Sequence, residues 1–232
     1  MGITSLAQQA SATSLTGSIT VPTVIAGDLG ILDDYTQRSA ADVTAVNPSG
    51  WTQYGTVSVF PGPGSFGYRR IISYRIFDGT ESGSSVTGMD STFDNKVMVT
   101  FRANEPIVSV TPTGFSGANA SIIETDPAAQ TVASGSGAAP LIVLGHYASQ
   151  GLQVDPRTFT VGGSAAKDGE VAGDVYLYVA WKVYLSSPAD VVVDQDDEGA
   201  INLLLSGYLQ VRGARDSLPG FIRPARFYTR RF

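Results

Sequence analysis

Period-two alternation governs this chain, and a helical period is almost absent. In Arg70-Ile71-Ile72-Ser73-Tyr74-Arg75-Ile76-Phe77, residues Ile72, Tyr74 and Ile76 share one face. Over residues 175–183 the odd positions Val175, Leu177, Val179, Trp181 and Val183 share another. The opposite face of that segment holds Tyr176, Tyr178, Ala180, Lys182 and Tyr184, so it is aromatic yet hydroxyl-bearing. Similar short runs, broken by Gly, Pro, Asn, Asp and Ser, predict strands at 18–25, 28–33, 51–60, 68–77, 85–88, 96–102, 107–112, 121–124, 130–134, 141–147, 175–185, 190–193 and 200–212. Many short strands at regular spacing predict an all-β chain, an antiparallel β-sandwich or jelly roll.

The organisation expected is one domain with two arms. Residues 1–15 are rich in Ser, Thr, Ala and Gln and read as a flexible N-terminal arm. They lack the basic start and apolar run of a signal peptide, and Leu6 stands where myristoylation needs Ser or Thr. Residues 16–212 form the sandwich. The Gly/Ser/Ala stretch 134–139 is the best linker candidate, but the apolar strand after it needs partners from the first half. Residues 213–232 read as a basic, aromatic C-terminal arm, with five Arg against one Asp. Its net charge is +4, so the rest of a chain with total charge −6 carries −10. Arg215, Phe221, Arg223, Arg226, Phe227, Tyr228, Arg230, Arg231 and Phe232 are its candidate partner-binding residues, cations for acidic groups and rings for pockets.

Composition removes much chemistry. The 232 residues include no Cys and one His, which excludes disulfides, thiol nucleophiles and multi-His metal sites. A Ser–His–Asp triad would rest on His146, whose strand pattern puts it beside Ile142 and Leu144 as a half-buried, hydrogen-bonded side chain. An acidic chain is a poor nucleic-acid partner, and no run is long enough to span a membrane.

The literal motifs point to loops. Residues 62–67, GPGSFG, match the dinucleotide pattern, but a strand follows where the pyrophosphate site needs a helix N-terminus. Residues 164–167, SAAK, match the penicillin-recognising SxxK without its companion motifs. Asn119-Ala120-Ser121 fits a glycosylation sequon with no secretory context. The acidic run 194–199 begins like a calcium loop but has Leu205 at its twelfth position. Asp194, Asp196 and Glu198 are thus the metal-ligand candidates, calcium the one cofactor considered, and a solvated hairpin turn between strands 190–193 and 200–212 the plainer reading.

Several short motifs occur in a familiar order. They are Ala26-Gly27-Asp28-Leu29-Gly30-Ile31-Leu32, Pro48-Ser49-Gly50-Trp51-Thr52, the strand 72–76, the Glu81 turn with the strand 85–87, the strand 97–102 leading to Pro106-Ile107, and the strand 140–148. Across residues 20–150 this order resembles a lectin-like jelly-roll module of tailed-bacteriophage virion proteins. The segments 176–182, 187–190 and 196–199 look like the second half of phage structural proteins. One departure stands out: Asp33-Asp34-Tyr35 interrupts a strand that is often a longer apolar run. The resemblance implies a non-enzymatic virion component, a head decoration or a tail or fibre part, assembled in the host bacterial cytoplasm. Its partners would be capsid, portal-vertex or tail proteins and further copies of itself. The alternative is a carbohydrate- or receptor-binding module, with Trp51 or the Tyr176/Tyr178/Tyr184 face stacking on sugar rings.

Overall fold

A computed structural model describes residues 2–39, 47–59, 66–87, 94–115, 119–121, 130–132, 140–150, 157–161, 164–165, 167–173, 177–186, 188, 190–195 and 201–215. The first half of the chain contributes β1 (Leu6–Ser14), β2 (Ser18–Thr20), β3 (Leu29–Ser39), β4 (Thr52–Val59), β5 (Phe66–Ile76), β6 (Ser85–Thr87) and β7 (Asp94–Ala103). The second half contributes β8 (Ile107–Thr113), β9 (Asn119–Ser121), β10 (Gln130–Val132), β11 (Leu141–Gln150) and β12 (Arg157–Val161). It continues with β13 (Ser164–Ala165), β14 (Gly169–Ala172), β15 (Leu177–Tyr184), β16 (Val191–Gln195) and β17 (Ile201–Gly213). The protein is an all-β antiparallel sandwich, as the alternation predicts.

Each main sheet is built from one half of the chain. The first runs β1-β7-β3-β5-β4, and the second runs β14-β15-β11-β17-β8 with β9 also on β17. Ile31, Ile72, Val97 and Val99 of the first meet Ile142, Leu144, Val179, Leu205 and Leu209 of the second, all at most 1% exposed. Each such side chain withdrawn from water contributes about 1.5–3 kcal/mol. Phe101 and Trp181 lock edge to face across the gap, their centroids 5.7 Å apart.

Two further layers cover the outer faces. The pair β2-β6 and Val24 lie over Leu32, Met98, Trp51 and Phe77. The sheet β10-β16-β12-β13 lies over the far face of the second sheet, with Val132, Val191 and Val193 against Leu141, Val143, Tyr147 and Tyr178. Residues 141–147 are therefore buried on both faces, which explains the apolar run 141–144 that opens them. Their ladder partners are β15 and β17, both from the second half; the first half meets them across the core instead.

Three expectations are corrected. Residues 6–14, assigned to a flexible arm, form β1 and pair with β7 from Leu6↔Ala103 to Ser14↔Lys96. The acidic run does not join a hairpin, because β16 pairs with β10 and β12 whereas β17 lies in the second sheet. The strand expected at 28–33 runs on through Asp33 and Asp34 to Ser39, laddered on both sides by β5 and β7. Pairing survives there because both carboxylates are neutralised by cations. The candidate linker 134–139 lies outside the described residues.

Candidate functional site

The departure from the apolar pattern at Asp33 is the centre of a buried polar cluster. Asp33 on β3 points into the sandwich core and accepts two bonds from the Arg70 guanidinium of β5, from Nε at 2.7 Å and from the terminal amine in a shorter contact. Arg70 also donates to the main-chain oxygen of Tyr147 on β11, at 3.2 Å. Asp33 Oδ2 lies 2.9 Å from His146 Nδ1, and His146 Nε2 lies 2.9 Å from the Tyr54 hydroxyl of β4. Asp33, Arg70 and His146 are fully buried. Phe115 packs against Tyr54 with centroids 4.6 Å apart.

Local sequence makes this reach possible. Gly50, at φ 79°, turns the chain so that Trp51 enters the core ahead of β4. At Gly55 a methyl group would sit 2.6 Å from Leu205 Cδ2, so glycine lets β4 lie close against the second sheet. A register shift between Gln53 and Gly55 accompanies that approach. Tyr54, between them, meets His146 from the opposite sheet.

The electrostatics set the protonation states. Burial pushes the Asp33 carboxyl up, but the Arg70 charge and the His146 hydrogen bond outweigh it and hold the group below its usual 3.8. Burial pushes the His146 imidazole below its usual 6.5; the Asp33 bond opposes this only in part, and Arg70 adds to it. Burial and the Asp33 charge raise Tyr54 well above 10. A neutral imidazole thus donates from Nδ1 to Asp33 and accepts at Nε2 from a protonated Tyr54. One cation and one anion cancel, and the cluster is neutral.

Hydroxyl, imidazole and carboxylate in series form the nucleophile–base–orienter relay of covalent catalysis. Here the hydroxyl is a partly buried phenol whose raised pKa keeps its proton on. The relay instead joins β3, β4 and β5 of one sheet to β11 of the other. His146, expected half-buried, is wholly buried. Its partners lie 92 to 113 residues away in sequence, beyond any local motif. The available signal was the pair of acids inside an apolar strand.

A second polar site lies at the end of the first sheet. Asp28 takes two bonds from Arg102, at 2.8 and 2.7 Å, and one from the Ile25 amide at 2.9 Å. The Asp28 bond, against the cost of burial, raises the Arg102 guanidinium further. A pocket of about 150 Å³ opens there, lined by Ile25, Asp28, Arg102, Asn104, Glu105 and Pro106 among others. Beside it, Arg215 is exposed and sits 3.6 Å from Glu105.

The other sequence candidates fall as follows. Trp51 is buried edge to face on Phe77, and Tyr178 is buried against the third sheet, so both are core residues and neither is a sugar platform. Tyr184 is partly buried beside the same core, and Tyr176 lies outside the described residues. Asp194 stands on β16 opposite Thr158; Asp196 and Glu198 lie outside the described residues. Among the described residues no three His, Cys, Asp or Glu side chains gather in a metal-ligating group, and no helix is long and apolar enough to cross a membrane. Lys167 of the SxxK match is exposed and pairs with Glu170 at 3.1 Å. Phe221, Arg223, Arg226, Phe227, Tyr228, Arg230, Arg231 and Phe232 lie outside the described residues, as does the glycine loop 62–65. Comparison with protein-family models, with curated proteins and with solved structures finds no match for this chain.

Proposed function

We propose that the protein is a non-enzymatic structural component of a tailed-phage virion, a head decoration or tail part that attaches to capsid, portal-vertex or tail proteins. The observation that carries this reading is the complete burial of Asp33 and His146, with Tyr54 closing the relay against them. The side-chain types best suited to chemistry are committed to joining two sheets, and recognition falls to the surface and the chain ends. The ordered resemblance over residues 20–150 supplies the virion context. Charge supplies the means of attachment: 213–232 carries +4 beside a body of −10, and such complementarity steers docking onto acidic partners.

The test is truncation. Because β17 runs to Gly213 and Arg215 pairs with Glu105, the cut belongs after Arg215. The shortened chain is expected to fold and to be missing from purified particles. Normal incorporation would overturn attachment through this segment. Absence of the full-length protein from purified particles would overturn the virion reading itself.

A further inference from the structure

The first sheet ends on β1, and among the described residues no strand continues it there. Unpaired strand edges are templates for another strand, and proteins usually blunt them with short length, proline or charge. Most other edges of this molecule follow that rule; β4, the opposite edge of the same sheet, has eight residues with neither charge nor proline and does not. β14 has four residues and carries Glu170, β13 has two residues, β10 has three, and β8 carries Pro112. β1 has nine residues, LAQQASATS, with neither charge nor proline. Residues 1–27 contain no charged side chain at all.

The backbone of β1 is ready to pair. Its register shifts once, between Gln8 and Ala10, and then runs regularly to Ser14. The Ala10 amide donates to Thr100 Oγ1, and that hydroxyl donates to the Ala10 carbonyl, so the Ala10 peptide groups face β7. Strand alternation then turns those of Ser11 and Thr13 outward. Among the described residues, no strand pairs with this outer side. Ala7, Gln9, Ser11 and Thr13 are exposed. Just past the strand, Leu15 is a large apolar side chain left 45% exposed.

We infer that β1 is a self-association edge, pairing antiparallel with β1 of a second copy so that the first sheets of two protomers become continuous. The occupant follows from charge. The remainder of the body carries −10, so like-charged copies repel over most of their surfaces, whereas a neutral edge opposes only Ala, Gln, Ser and Thr to themselves. Antiparallel pairing of identical strands is self-complementary, as a two-fold interface requires. Added main-chain hydrogen bonds supply the contact, and Leu15 lies at its rim.

This inference goes beyond the proposed function, and its test needs no particle. The full chain is expected to sediment as a dimer at micromolar concentration. Ser11→Lys/Thr13→Lys changes two exposed side chains, keeps the β7 ladder and sets like charges face to face. It is expected to weaken the dimer about tenfold or more with an unchanged circular dichroism spectrum; Val108→Lys on β8 should leave the dimer intact. Since the chain has no native Cys, Cys at positions 9, 11 and 13, alone and in mixtures, should give a covalent dimer on mild oxidation, and Val108→Cys should not. A monomeric full chain, a dimer indifferent to the two lysines, or no crosslink through β1 would each overturn the inference. Failure here would leave particle incorporation untouched, and the reverse.

Discussion

Asp33 and Asp34 are neighbours in sequence, both buried and both paired with cations, yet they do different work. Asp33 faces the second sheet, and through Arg70, His146 and Tyr54 its carboxylate connects four strands of two sheets. Asp34 points to the opposite face and meets Lys96 at 2.8 Å, its direct cross-strand neighbour. The Asp33–Arg70–His146 contacts tie two sheets together; the Asp34–Lys96 bond ties neighbouring strands of one sheet. A buried ion pair is weak evidence for stability in itself, because desolvation offsets much of the attraction. What separates these two is which elements their bonds join.

The largest effects should come from breaking the Asp33 pair. Arg70→Met leaves a carboxylate in the core without its bidentate partner and should cost about 3–5 kcal/mol in urea denaturation. Replacing both partners then separates the sites. Asp34→Leu/Lys96→Met, which removes a bond within one sheet, should be the milder of the two double variants. Asp33→Leu/Arg70→Met should stay clearly below it, because His146 Nδ1 loses its carboxylate partner. Equal behaviour of the two double variants would erase the distinction. A smaller loss, about 1–3 kcal/mol, is expected for Tyr54→Phe, which leaves His146 Nε2 buried without a donor.

Acid should loosen the Asp33 site in two stages. His146 is lowered below 6.5 in the folded state, so the unfolded chain takes up that proton first. Its contribution is complete above about pH 6.5 and is lost as pH falls below it. Asp33 is lowered below 3.8, so its contribution holds above 3.8 and disappears as pH falls through the lower folded value. Denaturation midpoints from pH 8 to 3 should show the upper stage in the wild type and lose it in His146→Gln. Least of all should matter the exposed Lys167–Glu170 pair: Lys167→Ala should change stability by less than about 1 kcal/mol.

The sandwich was legible because alternation is a local signal. Leu177, Val179 and Trp181 face one core and Tyr178 and Ala180 the other, as their spacing predicts. The site was half legible. Asp33 and Asp34 were visible as an interruption, and His146 as the only imidazole, but nothing local says that Tyr54, Arg70 and His146 converge. Convergence is set by sheet stacking, which joins residues by register rather than by sequence distance. β1 was misread for a related reason. Its small, uncharged residues carry little hydrophobic pattern, and its strand character comes from the β7 ladder. The acidic run misled because two adjacent strands were assumed to pair, while β16 and β17 belong to separate layers.

His146 is a buried, neutral pin between two sheets. Because it is the only histidine, its ring nitrogens give a single assignable set of nuclear magnetic resonance signals. A pH titration of those signals should show a neutral ring with the proton on Nδ1 at pH 6.5, taking up a second proton only below that value. A ring that titrates freely near 6.5, with its proton exchanging rapidly with water, would contradict the account.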